Sequence, residues 1–196
     1  MRAEPLVRVV DDDSSFARAL TRLLAARGFE VRSFGSGAQL LAEVSAGSRG
    51  CVVIDLNMPG MNGLELQAEL ARRAARLPVV FLTGAADIPS SVKAMRGGAV
   101  DFLEKGAPGE HLIAAVERAL ALDRMHHALR ERFAKLSERE LEVLRHVLRG
   151  RMNKQIAAEL GIHERTVKLH RTAVTAKVGV RSVAELTTLA RDAGLL

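Results

Sequence analysis

The chain has 196 residues, 48% apolar and 27% charged, a balance that excludes the disordered and collagen-like classes. Its formal net charge of +6 is unevenly placed: residues 1–122 carry 14 Lys+Arg against 14 Asp+Glu, leaving 15 against 9 for residues 123–196. A neutral half joined to a basic half points to a sensing or catalytic unit attached to a polyanion-binding one.

No apolar run approaches the ~18 residues that a membrane span needs, and the start at Met1-Arg2-Ala3-Glu4-Pro5 does not resemble a secretory signal. The single cysteine, Cys51, lies inside an apolar run, so it reads as a small buried hydrophobe in a reducing cytoplasm rather than as part of a disulfide framework. Trp and Tyr are absent, which argues against a single-strand nucleic-acid site built on aromatic stacking.

In chain order, Leu6-Val7-Arg8-Val9-Val10 reads as a strand, and Phe16, Leu20, Leu23 and Leu24 as a helix ending at Gly28. Residues 30–34 form a strand interrupted by Arg32 and Ser33, and residues 37–46 a helix. Cys51-Val52-Val53-Ile54 is a continuous apolar strand, and Leu64, Leu66 and Leu70 begin the next helix. Val79-Val80-Phe81-Leu82 is a fourth strand, Val92 and Met95 mark a short helix ending at Gly97-Gly98, Val100-Asp101-Phe102-Leu103 is a fifth strand, and Leu112, Val116 and Leu120 line a fifth helix. Five alternations predict a parallel sheet covered on both faces. Strands buried on both faces are unbroken apolar runs, so the interrupted second and fifth strands fall at the edges, compatible with the flavodoxin-like order 2-1-3-4-5.

Residues 123–134 read as a solvated helical linker, in which the adjacent His126 and His127 do not share a helix face for a metal. Four short helices follow. Ser137 and Glu140 make a capping box ahead of an apolar stripe of Leu141, Leu144 and Leu148. Asn153 is placed to cap a second helix closed by Gly161; a third, over about 164–177, puts Val167, Val174 and Val178 on one side; a fourth spans 182–192. Two short helices joined by a Gly-containing turn are the core of a helix-turn-helix.

Ligands of parallel sheets bind beyond the carboxyl ends of the strands, at the switch in strand order. Asp11-Asp12-Asp13, Asp55, Thr83 and Lys105 stand at those ends after the first, third, fourth and fifth strands, with Asp13 reading as a helix cap. Clustered carboxylates raise one another's pKa unless a cation sits among them, and an oxygen-only set suits Mg2+. A carboxylate beside Mg2+ can attack a phosphoryl group to give an aspartyl phosphate, with the Thr83 hydroxyl and the Lys105 ammonium clamping its oxygens.

The segments Val9–Asp13, Asp55-Leu-Asn-Met-Pro-Gly-Met-Asn-Gly63, Phe81-Leu-Thr-Gly84 and Asp101-Phe-Leu-Glu-Lys105 together resemble the receiver domain of two-component response regulators, over about residues 5–122. The resemblance implies that Asp55 accepts a phosphoryl group from a histidine kinase. It also implies Mg2+ held by Asp12, Asp55 and the Asn57 carbonyl, with Asp11 acting mostly through water, and Thr83 and Phe102 as switch residues. Receivers usually carry proline after the lysine, often in a cis peptide; Gly106 stands there, which predicts a trans bond or a remodelled loop.

The third C-terminal helix offers Arg165, Lys168, His170, Arg171 and Lys177, and a helix of this size fits the DNA major groove. Leu136–Leu144, Asn153–Ile162 and Thr166–His170 are similar to the LuxR/FixJ-type output domain, over about residues 133–196. That resemblance implies base contacts from Lys168, Leu169 and Thr172, and backbone contacts from Asn153, Lys154, Thr166 and Arg171. His163 stands where a small capping residue is common.

The expectation is therefore a receiver at 1–122, a linker at 123–134 and an all-α four-helix helix-turn-helix domain at 135–196. The chain reads as a cytoplasmic, phosphorylation-dependent transcription regulator. A sensor histidine kinase, double-stranded promoter DNA, RNA polymerase and a second copy of itself on phosphorylation are its partners. Two alternatives stand beside it. One is a DNA-binding regulator with a degenerate, phosphorylation-independent receiver, motivated by Gly106. The other is a Mg2+-dependent phosphohydrolase, which calls for a second Asp where Asn57 stands.

Overall fold

The apolar runs pair as parallel strands, and the segments between them fold as helices that cover both sides of the sheet. A computed structural model describes residues 5–73, 76–84 and 88–195; the opening Met1–Glu4, part of the start discussed above, lies outside these residues. The chain divides into two compact units, Met1–Arg124 and Met125–Leu196.

The first unit runs β1 (Leu6–Val10), α1 (Ser14–Ala25), β2 (Val31–Phe34), α2 (Gly37–Glu43), β3 (Gly50–Asp55), α3 (Gly63–Arg72), β4 (Val79–Thr83), α4 (Ile88–Arg96), β5 (Asp101–Glu104) and the first part of α5 (Gly109–Phe133). All pairings are parallel and the order is β2-β1-β3-β4-β5, the doubly wound flavodoxin-like arrangement. β1, β3 and β4 are buried along their whole length, whereas the edge strands β2 and β5 are partly exposed.

Side chains alternate across a strand, and the two faces build two cores. Val10, Val52, Ile54, Val79 and Phe81 pack with Leu40 and Leu41 of α2, Leu66 and Leu70 of α3 and Ala94 of α4. Val7, Val9, Cys51, Val53, Val80 and Leu82 pack with α1 and α5 on the other side. Cys51 is fully buried, and desolvation pushes its thiol up to about 12, which makes it inert.

Local signals seat the helices. The Asp13 carboxylate accepts from the N–H groups of Ser15 and Phe16 and so caps α1. Asn62 and Glu65 form a reciprocal capping box at α3. Between them, Gly63 lies where a Cβ would stand 2.6 Å from the Asp55 carbonyl oxygen and 2.9 Å from a Phe81 ring carbon. Its N–H donates to the Leu56 carbonyl at 2.9 Å, closing the loop after β3.

α4 forms around Val92 and Met95 as expected; both are exposed, and Ala94 is the residue of α4 described as buried. Two sequence expectations change. α5 is one helix of 25 residues rather than a helix followed by a solvated linker. Its Asp123 is fully buried and ion-paired to Arg49 at 2.9 Å in the first unit, while Leu129 and Phe133 belong to the core of the second. In the second unit, made of the end of α5, α6 (Glu138–Leu148), α7 (Asn153–Leu160), α8 (Glu164–Val178) and α9 (Val183–Ala193), the stripe of α6 centres on Val143, Leu144 and Val147. Leu141 and Leu148 flank it as partly buried residues, since the Glu140 side of the helix also turns inward. Val167, Val174 and Val178 of α8 are buried. Among the described residues, no helix is long and apolar enough to cross a membrane.

The close approach at Gly63 yields a test. Gly63→Ala would force the Asp55 backbone and the Phe81 ring apart, an overpacking that costs about 1–3 kcal/mol; a lowered urea midpoint measures it, and an unchanged midpoint would show that the loop relaxes freely.

Candidate functional site

The carboxyl ends of β1, β3 and β5 bring four sequence-distant side chains together. Val10 stands in register with Ile54, so the next residues, Asp11 and Asp55, emerge side by side. One carboxylate oxygen from each of Asp11, Asp12 and Asp55 lies within 4.8 Å of the other two. Asp11 and Asp55 are buried and Asp12 faces solvent.

Lys105 follows β5 on the α1 side of the sheet. Its Nζ is 2.8 Å from Asp11 and 3.2 Å from Asp55, and it sits 4.6 Å above the centre of the Phe16 ring. The Lys105 N–H donates to the Thr83 carbonyl at 2.7 Å, and Ala107 closes a turn onto Glu104 at 3.0 Å. Among the described residues no peptide bond is cis, as Gly106 predicts. The loop with Gly106 therefore still brings the ammonium to the acidic cluster.

The electrostatics follow from this geometry. Burial pushes the Asp11 carboxyl up, and hydrogen bonds from Lys105 and the Asp13 N–H oppose the shift. Burial pulls the Lys105 ammonium down, but its hydrogen bonds to Asp11 and Asp55 outweigh burial and leave it above its ordinary value. Three oxygen donors, one of them open to water, make a hard-ligand set that fits Mg2+. Asn57 lies exposed two residues beyond Asp55, and Thr83 is fully buried at the end of β4. Phe102 is partly buried on the opposite face from Lys105, its ring 6.0 Å from that of Phe81.

The second unit holds a helix-turn-helix: α7, a left-handed Gly161 and α8. Lys168, Leu169 and Thr172 are exposed on α8, Thr166 and Arg171 are partly exposed, and Lys154 is exposed on α7. One expectation needs correction. Asn153 is not the cap of α7. Met152 occupies that position, with its N–H donating to Gln155, while Asn153 Oδ1 accepts from Arg171 at 2.8 Å and ties α7 to α8. Lys177 is exposed on α8 and is paired with the buried Glu140, its Nζ 2.7 Å from the carboxylate, so its ammonium also braces α8 against α6. His163 precedes α8 without a side-chain cap.

Sequence reasoning did not anticipate the Phe16 platform under Lys105, the Asn153–Arg171 bond or the Glu140–Lys177 pair. Each joins residues far apart in the chain, and only the capping-box spacing at Ser137 and Glu140 hinted at one of them.

An acidic pocket with an attendant lysine at the carboxyl edge of a five-stranded doubly wound sheet, carried in one chain with a basic helix-turn-helix, defines a class: a receiver joined to a DNA-binding output domain. Residues 7–117 match the family described as response regulator receiver domain, and residues 134–190 match the bacterial regulatory proteins of the luxR family. The chain is 42% identical to nodulation protein W of Bradyrhizobium diazoefficiens over 97% of its own length and 87% of that protein. It is 41% identical to the transcriptional regulatory protein FixJ of Azorhizobium caulinodans, covering 96% and 93% of the two chains. Among solved structures, the response regulator StyR superposes with a TM-score of 0.61 at 42% identity, covering 96% of this chain and 99% of that one. Full-length FixJ from B. japonicum gives 0.54 at 36% identity, covering 99% of each. The chain belongs to the response regulators that carry a LuxR-type DNA-binding domain, a family of transcription regulators.

The brace on α8 is pH-sensitive. The Lys177 ammonium and the Ser137 N–H hold the Glu140 carboxyl below its ordinary value. A depressed folded value means that its stabilisation is present above the unfolded value of about 4.3 and is lost as pH falls through the folded one. The stability gap between the native chain and Glu140→Gln, read from urea melts, is therefore expected to be widest near neutrality and to close in acid. A gap independent of pH would remove the ion pair from this account.

Proposed function

We propose that the protein is a phosphorylation-dependent transcription regulator in which a sensor histidine kinase phosphorylates Asp55 and the modified receiver promotes dimerisation and binding to promoter DNA. The observation that carries the reading is the convergence of Asp11, Asp12 and Asp55 with Lys105 Nζ between Asp11 and Asp55. Such an arrangement presents a carboxylate suited to act as a nucleophile beside fixed positive charge.

In the transfer, an Asp55 oxygen attacks the phosphorus of a phosphohistidine, the P–N bond breaks, the imidazole takes a proton and an acyl phosphate remains. Asp12, Asp55 and the Asn57 carbonyl, with Asp11 beside them, would hold Mg2+, which would supply charge neutralisation for the phosphoryl oxygens. The Lys105 ammonium, already anchored over Phe16, exchanges part of its pairing with Asp55 for a phosphoryl oxygen. The Thr83 hydroxyl supplies a further donor from β4, and Phe102, opposite Phe81 on β5, follows by turning further into the core that it already touches. Asn57 stands where a phosphohydrolase would need a second general acid, which favours a lasting acyl phosphate over turnover.

The signal would leave the receiver through the α4–β5–α5 surface. Ile88, Val92 and Met95 recur at one helical face of α4 and are all exposed, an apolar stripe suited to a second copy. Pairing two chains puts two α8 helices in major grooves about one DNA turn apart. Lys168, Leu169 and Thr172 would then meet base edges, and Asn153, Lys154, Thr166 and Arg171 the phosphates. RNA polymerase would be a partner of the DNA-bound dimer, and the cytoplasm its compartment.

Incubation with acetyl phosphate and Mg2+ is expected to load one base-labile phosphoryl group per chain, with Asp55→Asn and removal of the metal each abolishing uptake. Lys105→Ala should slow uptake on the order of 10²-fold, the usual effect of losing one charge-stabilising donor. Phosphorylation should raise both the dimer fraction and the DNA affinity of the native chain but not of Asp55→Asn. Equal DNA affinity for both chains, with and without donor, would instead mean a receiver that does not switch.

A further inference from the structure

We propose that the outward ridge of α8 reads pyrimidine C5-methyl groups, through the side chain of Leu169 and the γ-methyl of Thr172; the DNA half-site bound by this protein then holds thymines or 5-methylcytosines at two nearby positions. The inference rests on the DNA-binding reading above and says which chemical feature of the base edges is recognised.

At 100° per residue, the buried Val167, Val174 and Val178 mark the core side of α8. The positions diametrically opposite are Arg165, Leu169, Thr172 and Ala176, all exposed, with Lys168 beside them. The ridge that would enter a major groove most deeply is thus charged only at its N-terminal end, and its centre is Leu169, 64% exposed. An isolated exposed leucine is unremarkable on a protein surface, but this one occupies the crest of the helix that faces away from the core.

Thr172 strengthens the case. Its hydroxyl donates to the Lys168 carbonyl oxygen at 3.1 Å, one turn back along the same helix. The hydroxyl's one donor is thereby spent within the helix, and the γ-methyl is left to offer a ligand beside an oxygen that can still accept. Ala176 adds a position without a donor or acceptor. From Leu169 to Ala176 the crest therefore carries no free donor and its contacts are mainly apolar, and side chains three apart on a helix are neighbours about 5–6 Å apart.

Base edges in the major groove display hydrogen-bonding groups at every pair, and their apolar feature is the C5-methyl of thymine. An apolar crest pressed against a G·C edge would leave those donors and acceptors stripped of water without partners, which is costly. Against thymine methyls it buries apolar surface on both sides. Lys168, to one side of the crest, is free to supply charge to a guanine edge or a phosphate.

The full chain, with beryllofluoride and Mg2+, is used to select its best duplex from a random pool, and each thymine of the selected site is then replaced by deoxyuridine, which removes only the methyl. Affinity is expected to fall about fourfold at each of two nearby positions per half-site, the loss of ~0.8 kcal/mol for one methylene-sized group converted at 1.4 kcal/mol per tenfold. Leu169→Ala should erase the deoxyuridine penalty at one of them. Thr172→Ser, which keeps the hydroxyl bond and deletes the methyl, should erase it at the other. Both variants should keep the native salt slope, because neither touches a phosphate. The proposal is overturned if deoxyuridine is neutral at every thymine, as it would be were the crest a protein-docking surface, or if its penalty survives in both variants. Failure of the underlying DNA reading looks different: no duplex in the pool is retained in a salt-dependent way, and the proposal falls with it.

Discussion

Three carboxylates within 4.8 Å of one another are the constraint around which the receiver is organised. Like charges so close, two of them withdrawn from water, do not persist ionised without a counter-charge. In the structure Lys105 is part of that counter-charge, and its ammonium is placed by two interactions from different elements, the carboxylates at the ends of β1 and β3 and the Phe16 ring of α1. The residual excess of negative charge is what would make the pocket receptive, on the proposed function, to a divalent cation and through it to a phosphoryl group.

That arrangement depends on the sheet. Parallel pairing holds adjacent strands about 4.8 Å apart, so the side chains that follow Val10 and Ile54 emerge as neighbours. Alternation along the strands then decides which residues can cooperate. Lys105 falls on the α1 side with Phe16, and Phe102 falls on the other side with Phe81. The tight seat of Gly63 fixes the loop after β3 against the backbone of Asp55, which limits the freedom of that residue without consuming its carboxylate.

In the helical unit polar side chains do the positioning. Glu140 serves twice, capping α6 through the Ser137 N–H and holding Lys177 of α8. Arg171 and Asn153 link α8 to α7. These bonds brace the two helices of the helix-turn-helix against each other and against α6 while Lys177 stays exposed. An Arg or Lys in a basic segment can be a brace as well as a ligand, and the sequence does not distinguish the two.

Much of this was legible from residues alone, because the signals are local. Unbroken apolar runs marked the buried strands and interrupted ones the edges, and the acidic, hydroxyl and ammonium residues stood at equivalent strand ends. The capping boxes and glycines bounded the output helices, and motif resemblance supplied the family. Misreadings came where a residue's partner is distant. Asn153 has the chemistry of a cap, but Arg171 takes its oxygen. Asp123 looks like linker polarity, but Arg49, over seventy residues earlier, buries it. The sequence by itself determined the alternation of elements, the class of each domain and the polar groups that stand at the strand ends, since these follow from nearest-neighbour periodicity and chemistry. Tertiary structure decided which charges are braces and which face a ligand, because that depends on distances between segments whose relative placement no local pattern encodes.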